Sequence, residues 1–285
     1  MERNLNYRIV ALRRGLGPQM ARMADYVMEN GDQACFLNVR KLASAAGVSA
    51  PTAVRFVRRL GYKDFQSFKN DLQKNLRERL RARKTAAGIG TSRRPNSFIR
   101  EIFEQEALAI ENSLQLVREE DFEAALDAVC RADTVYLLGG KTSFALAYFL
   151  YFRLSKLGID CKLIHFGGPS LFREMAAIGS RDLLIAIGFQ RIAAEVQLAA
   201  KEARRKKAAV VAITDPPASP ISALADVALY ADRGPRMKMR SMTAYLALCT
   251  AVVAGVAGRK GKRSARIAAE VDALENGAGN HRREG

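Results

Sequence analysis

Apolar residues change their spacing along the chain, and this change divides it into a helical first part and a mixed second part. Before residue 81 they recur every three or four positions, which predicts helices at 18–30, 39–46, 50–60 and 65–80. Two further helices are predicted at 98–117 and 120–131. Short apolar runs then predict strands at 134–138, 160–165, 183–187, 209–213 and 227–230. Amphipathic stretches between and after them predict helices at 143–157, 170–178, 191–206 and 241–257.

Strands that alternate with helices indicate βαβ units and a buried parallel sheet. We therefore expect an all-α N-terminal domain at 1–80, then an α/β domain at 98–275 with a parallel five-stranded sheet flanked by helices. The segment 81–97, RARKTAAGIGTSRRPNS, has no apolar periodicity and is predicted to be a linker. Residues 276–285 are predicted to be a disordered tail.

The charge is concentrated in the helical part. The chain of 285 residues carries 46 Lys and Arg against 29 Asp and Glu, a net charge of +17. Residues 1–90 hold 18 basic and 7 acidic residues, a net of +11, and the remaining 195 residues account for +6. A basic excess of this size favours a polyanionic partner, so the N-terminal domain is the first candidate for binding nucleic acid.

Several classes of protein are not expected. The four cysteines lie far apart, and with only two histidines no zinc site is predicted. No apolar stretch reaches about 18 residues, and the N-terminus lacks the apolar core of a secretory signal. We found no cofactor motif. We therefore predict a cytoplasmic protein without cofactor, metal or membrane partner.

The segment 39–60 carries the clearest motif. A short helix ends at Gly47, which can adopt the positive φ of a tight turn, and Ser49 is a suitable N-cap for the next helix. The next helix has one apolar stripe, and its arginines lie off that stripe. This arrangement is typical of a helix-turn-helix that presents its second helix to the DNA major groove. The alternative is a plain helical bundle whose arginines form a solvated face.

In the helix-turn-helix interpretation, DNA contacts follow from position on the second helix. Ala50, Pro51 and Arg55 are expected to face base edges, with Arg55 the candidate for bidentate contact to guanine. The residues expected to hold phosphates are Ser49, Thr52, Arg58 and Lys63. Arg40 and Arg59 complete the predicted DNA-binding set.

Residues 18–76 resemble the helix-turn-helix domain of the RpiR family of bacterial transcription regulators. The matching stretches are MARMADYVMEN, LASAAGVSAPTAVRFVRRLGY and KDFQSFKNDL. The ending Leu-Gly-aromatic after the second helix is the most specific part of the match. The resemblance implies a second, sugar-isomerase (SIS) domain that senses a ligand, and roughly 98–275 fits it. Within that range, TDPPASPISALAD at 214–226 is similar to a characteristic SIS segment.

The resemblance also implies where an effector binds. A strand, a Gly-rich turn at 139–143 and a helix start are suited to an anion. SIS domains that bind sugar phosphates usually carry a loop S-x-S-G-x-T, but the matching loop here is GFQRIA at 188–193, and its hydroxyls are lost. Lys141 and Arg191 could replace those donors by charge, or could be ordinary surface cations. The predicted effector-binding residues are Gly140, Lys141, Thr142, Ser143, His165, Gly188, Gln190 and Arg191.

Taken together, these features predict a ligand-responsive DNA-binding transcription regulator. Its partners would be double-stranded DNA with a pseudo-palindromic operator, a small anionic metabolite that is a candidate sugar phosphate, and further copies of itself in a homodimer or homotetramer. No catalytic residue is predicted, because His165 has no identifiable carboxylate partner. The alternatives are a sugar-phosphate isomerase with an accessory helical domain, and a non-specific nucleic-acid-binding protein.

Overall fold

The computed structural model describes residues 5–12, 15–87, 95–165, 167–189, 192–216, 219–234 and 241–281. The chain divides into two compact units. One is Met1–Leu116 with Pro216–Ala218 and Tyr230–Ala244, and the other is Val117–Asp215 with Ser219–Leu229 and Tyr245–Gly285. No helix in the described part of the chain is long and apolar enough to span a bilayer.

Five helices build the N-terminal module. They are α1 (Leu5–Leu12), α2 (Pro18–Ala34), α3 (Val39–Ala45), α4 (Ala50–Arg59) and α5 (Phe65–Ala87). Each contributes a fully buried side chain to one core: Ile9, Met23, Leu42, Phe56 and Phe68. Burying a side chain of this kind contributes roughly 1.5–3 kcal/mol, so the shared core holds the short helices α3 and α4 in place.

Helix boundaries in the first part of the chain differ from the sequence expectation at several places. Helix α1 was not predicted, and α2 continues to Ala34 across a non-helical Asn30. Helix α5 continues to Ala87 and α6 (Pro95–Leu114) begins at Pro95, so the ends of the predicted linker are helical, while 88–94 lie outside the described residues. Ala, Arg and Lys are strong helix formers and make up six of the seven residues of 81–87, so this segment continues the helix without an apolar stripe. The domain boundaries themselves stay a prediction.

The second part contains five strands and the helices around them. The strands are β1 (Val135–Gly139), β2 (Cys161–Ile164), β3 (Leu183–Gly188), β4 (Ala209–Thr214) and β5 (Val227–Tyr230). The helices are α7 (Glu119–Arg131), α8 (Phe144–Lys156), α9 (Pro169–Ala177), α10 (Ala194–Arg205) and α11 (Thr243–His281). The sheet order is β2-β1-β3-β4-β5, which confirms the predicted five-stranded α/β sheet. Strands β1 and β3 are buried along their whole length, as expected for a sheet covered on both faces.

The C-terminal helix departs from the predicted tail. Its backbone is helical through His281, whereas 276–281 were expected to be disordered, and 282–285 lie outside the described residues. Each residue added to an existing helix gains one hydrogen bond, so a preceding helix favours its own continuation. Gly261 interrupts α11 with φ 57° and ψ −137°, a conformation that glycine adopts readily.

The parallel register places the strand ends at one edge of the sheet. Leu138 pairs with Ile164, Gly139 with Ile187, and Gly188 with Thr214. The loops that follow β1, β2, β3 and β4 therefore start side by side. In open α/β sheets, ligands bind outside this carboxyl edge.

Candidate DNA interface and effector pocket

The turn between α3 and α4 is closed by backbone hydrogen bonds. Gly47 N–H donates to the Ser44 carbonyl at 3.0 Å, and Val48 N–H donates to the Ala43 carbonyl at 2.9 Å. Gly47 has φ +63°, as expected from the sequence. A side chain at this φ costs of the order of 1 kcal/mol, so the turn favours glycine.

Ser49 caps α4. Its Oγ accepts a hydrogen bond from the Thr52 backbone N–H at 3.3 Å and lies 2.9 Å from Thr52 Oγ1. Thr52 is only 6% exposed and belongs to the buried face of α4. Its hydroxyl therefore serves the cap, and the burial does not favour the phosphate contact predicted for it.

The charged members of the predicted DNA-binding set are all exposed. Arg55 Nη2 donates to Thr52 Oγ1 at 3.4 Å, which links its guanidinium to the start of α4. Arg59 Nη2 donates to the Gly15 carbonyl at 3.2 Å, so this arginine also connects α4 to the loop before α2. The exposed members of the set are Arg40, Ser49, Pro51, Arg55, Arg58, Arg59 and Lys63, and Ala50 is half-buried.

A second group, absent from the predicted set, holds the end of α4. Arg8 Nη1 donates to the Leu60 carbonyl at 3.4 Å, and its guanidinium lies 4.9 Å from the centroid of the Tyr62 ring. The Tyr62 hydroxyl donates to the Asp71 carboxylate. The Leu-Gly-Tyr ending was visible in the sequence, but its partners on α1 and α5 are brought to it by the fold.

In the second unit, the loop after β1 is built around two constrained positions. A Cβ on Gly139 would lie 2.6 Å from the Ser143 carbonyl carbon, so no side chain fits there. Lys141 has φ +54° in the short 3₁₀ turn Lys141–Ser143, and its side chain is exposed. A non-glycine residue held in this region stores backbone strain of about 1–3 kcal/mol, and such strain clusters at functional sites.

The Ser143 hydroxyl has a structural role. It is buried, 2.7 Å from the Gly140 carbonyl oxygen and 3.0 Å from that of Ile187. Its single proton is shared between two backbone acceptors, which ties the loop after β1 to the end of β3. The buried Ser143 side chain therefore stabilises the conformation of the predicted effector loop.

The hydroxyls of Thr214 and Ser219 form a second hydrogen-bonded group, which links the end of β4 to the end of β3 and to the loop after β4. Thr214 Oγ1 lies 2.6 Å from the Gly188 carbonyl oxygen and 2.6 Å from Ser219 Oγ, and Thr214 is fully buried. Nearby, the Tyr245 hydroxyl donates to the Asp215 carboxylate, and the Phe189 and Tyr245 ring centroids are 4.1 Å apart. None of these contacts was predicted, although Thr214, Asp215 and Ser219 lie in the segment that resembles SIS domains.

The remaining predicted effector residues lie at the same edge or outside the described chain. His165 follows β2, is exposed, and has its ring 5.6 Å from that of Phe144. Thr142 is exposed and Gly188 is buried at the end of β3, whereas Gln190 and Arg191 lie outside the described residues. The structure thus brings the loop after β1, His165 and Gly188 to one edge.

The structure does not favour thiol chemistry at Cys161 or Cys249, or a metal site among the described residues. Burial raises the pKa of the Cys249 thiol to about 12, and the same cause raises the pKa of Cys161 to about 12. A thiol with such a pKa is a poor nucleophile at neutral pH. No metal-binding group of three or more His, Cys, Asp or Glu side chains occurs among the described residues.

The exposed, basic recognition helix is typical of a DNA-binding regulator. The α/β sheet, whose carboxyl edge carries polar side chains, is typical of a domain that binds a small ligand. The helix-turn-helix domain model of the rpiR family matches residues 4–79, and the SIS domain model matches residues 129–255. The chain belongs to the RpiR family of transcriptional regulators. This confirms the expected fold class and the expected role in transcription regulation.

Relatives and solved structures agree with this assignment. The chain is 25% identical over 215 residues to the uncharacterized HTH-type transcriptional regulator TTE0211 of Caldanaerobacter subterraneus subsp. tengcongensis, covering 75% of this chain and 74% of the relative. The sugar isomerase domain of an RpiR transcription factor from Sphaerobacter thermophilus is 29% identical, with a TM-score of 0.58, covering 60% of this chain and 96% of that one. The NanR protein of Vibrio vulnificus, complexed with ManNAc-6P, has a TM-score of 0.58 at 22% identity over 95% and 97% of the two chains, a likeness of fold.

Proposed function

We propose that this regulator senses a small anionic metabolite of the sugar-phosphate class at the carboxyl edge of its sheet. The observation that carries the proposal is Lys141, an exposed cation held at φ +54° in the loop after β1. A strained, exposed lysine at the ligand edge of an α/β sheet suits a phosphate or carboxylate. NanR, which shares the fold, is complexed with a sugar phosphate, and this supports the class of ligand.

Two hydroxyls at this edge are not available to a ligand. Ser143 and Thr214 already bond to backbone carbonyls and are buried. The loop at 188–193 lacks the hydroxyls that phosphate-binding SIS loops usually carry. Binding through Lys141 would therefore depend on charge, and should weaken as the ionic strength rises.

A thermal-shift screen of the full chain tests this proposal. Sugar phosphates, their unphosphorylated sugars and organic acids would be compared, and a ligand at 100 times its Kd stabilises the folded state by about 2.7 kcal/mol. The variant Lys141→Met should lose the response, whereas Lys201→Met, an exposed lysine on α10, should keep it. A response confined to another class of compound, or a response that Lys141→Met retains, contradicts the proposal.

We also propose that the protein forms a homodimer through α6. Four of its exposed apolar residues are spaced by four and seven positions along one stripe: Ile99, Phe103, Ile110 and Leu114, which are 56%, 73%, 39% and 72% exposed. Phe98 and Leu108 are also exposed but lie off this stripe. Taking roughly 150–250 Å² for a large side chain and the exposed fractions above, this stripe supplies about 360–600 Å² of the roughly 800 Å² that each partner buries in a standard interface. The other side of α6 is already bonded, since Asn112 Nδ2 lies 2.8 Å from Asp232 Oδ2.

Sedimentation of the full chain tests the dimer. The double variant Phe103→Glu, Leu114→Glu should be monomeric, and Glu104→Gln, an exposed neighbour, should remain dimeric. A monomeric wild type, or a double variant that still dimerises, contradicts the proposed interface. A two-fold dimer would bind pseudo-palindromic DNA with half-sites about one helical turn apart. The same sedimentation experiment would distinguish a dimer from a tetramer.

We expect no isomerase activity. Three of the relatives, TTE0211, YfhH and HexR, are named HTH-type transcriptional regulators, which supports a non-enzymatic role. Aldose–ketose isomerisation needs a positioned base, and His165, the predicted candidate, is exposed beside an aromatic ring. Incubation with aldose phosphates should give no ketose phosphate, and any turnover abolished by His165→Ala would overturn this expectation.

A further inference from the structure

An open concavity lies beside the helix-turn-helix turn. Its volume is about 480 Å³, and it is lined by Gln19, Ser44, Gly47, Val48, Ser49 and Thr52. Only Ser49 and Thr52 belong to the DNA-binding set predicted from the sequence. Gln19 lies in the first turn of α2 and Ser44 near the end of α3, so three helices contribute to one surface.

The concavity carries hydrogen-bond donors that are not used within the fold. Gln19 and Ser44 are exposed. Within the described ranges neither the Gln19 amide nor the Ser44 hydroxyl has a hydrogen-bond partner. Above Gly47 the space is open, since a Cβ built there would meet no atom within 4 Å. The surface at Gly47, between the two donors and the start of α4, is therefore open to a bound group.

The chemistry of the lining selects the ligand. Its six residues are uncharged, so the concavity by itself has little to attract a free anion from solution. A phosphate in DNA is different, because the exposed Arg55, Arg58 and Lys63 already attract its backbone. Neutral glutamine and serine side chains are among the groups that contact DNA phosphates and set the register of a protein on the duplex.

We propose that Gln19 and Ser44 together bind one DNA backbone phosphate in this concavity, and so set the register at which α4 enters the major groove. The Gln19 Nε2 amide and the Ser44 hydroxyl would each donate a hydrogen bond to a phosphate oxygen. This inference rests on DNA binding by the helix-turn-helix module, and it adds two positioning residues that lie outside the recognition helix.

Salt dependence separates this contact from the cationic ones. Each cation that neutralises a phosphate adds close to one unit to the slope of log affinity against log salt concentration, whereas a neutral donor releases no counterion. The variant Gln19→Ala should therefore lose about tenfold in affinity with an unchanged salt slope. Lys63→Met should lower that slope by about one.

The experiment measures binding of the full chain to two 30-base-pair duplexes, one selected from a random library and one of scrambled sequence. Gln19→Ala and Ser44→Ala should weaken binding to both duplexes by the same factor, because a phosphate carries no sequence information. The matched control is Gln33→Ala, an exposed glutamine at the other end of α2, which should bind like the wild type. Replacing single phosphates of the selected duplex by methylphosphonates should find one position in each half-site that weakens the wild type but not Gln19→Ala.

The outcomes distinguish this inference from the function on which it rests. A wild-type chain that binds neither duplex refutes DNA binding itself. If the wild type binds and Gln19→Ala matches Gln33→Ala, the phosphate contact is refuted while DNA binding stands. A change of sequence preference or of salt slope in Gln19→Ala would also overturn the inference, because it would indicate a base contact or an ionic effect.

Discussion

Replacing Ser49 tests the geometry of the recognition helix most directly. Ser49→Ala removes the oxygen that accepts the Thr52 N–H at 3.3 Å, and loss of such a cap costs about 1 kcal/mol. The change also removes the 2.9 Å contact with the buried Thr52 hydroxyl, at a further cost of about 0.5–1 kcal/mol. A total of about 1.5–2 kcal/mol should lower the hydrogen-exchange protection of the α4 amides by roughly 10–30-fold.

The matched variant Ser49→Asp separates the cap from the DNA contact. Aspartate is as good an N-cap as serine, so protection of the α4 amides should return to the wild-type level. Its carboxylate would face a DNA phosphate, however, and the repulsion should lower the affinity for DNA at least tenfold. Wild-type protection in Ser49→Ala would refute the cap, and wild-type DNA affinity in Ser49→Asp would refute the placement of Ser49 against a phosphate.

Three further predictions follow from the same contacts. Gly139→Ala should destabilise the second unit by 1–3 kcal/mol, because its Cβ would overlap the backbone of the following turn; equal urea midpoints for variant and wild type would contradict this. Thr214→Val should cost about 1–3 kcal/mol in urea unfolding because it removes the donor to the Gly188 carbonyl, and Thr214→Ser, which keeps the hydroxyl, should cost clearly less. The backbone hydrogen bond from Ser67, at 2.7 Å, lowers the pKa of Asp64 below its ordinary value of 3.8. The stability from this contact is present above pH 3.8 and is lost as the pH falls through the lowered pKa. Carboxyl NMR titration of the wild type against Ser67→Pro should show the Asp64 pKa rising in the variant.

Local sequence patterns were sufficient to predict most of the helices, the strands and the helix-turn-helix motif. The apolar spacing of 50–60 predicts α4, and the structure buries Ala53, Phe56 and Val57 on one face as that spacing requires. The positive φ of Gly47 and the Ser49 cap were also predicted, because both depend on residues adjacent in sequence. The predicted helix boundaries were wrong where α5 and α11 extend into segments without apolar periodicity.

Contacts between distant residues could not be predicted in this way. Arg8 reaches Leu60, Arg59 reaches Gly15, and Ser143 reaches Ile187 across separations of about fifty residues, none of which leaves a periodic signal in the sequence. The same limit explains Thr52, which was expected at a phosphate by its offset on the helix but is buried by packing. The position of a residue along its own helix does not show which neighbouring helices pack against that face.

The sequence by itself determined the class of the protein: a basic helix-turn-helix, five short apolar strands that alternate with helices, and the resemblance to RpiR regulators. Those properties depend on residue type and spacing, which act over a few neighbouring positions. Only the tertiary structure decided which hydroxyls remain available, because Ser143 and Thr214 are paired with carbonyls that belong to other strands. It also brought Gln19 beside Ser44 and Ser49, since a surface made by three helices exists only once their shared core has packed.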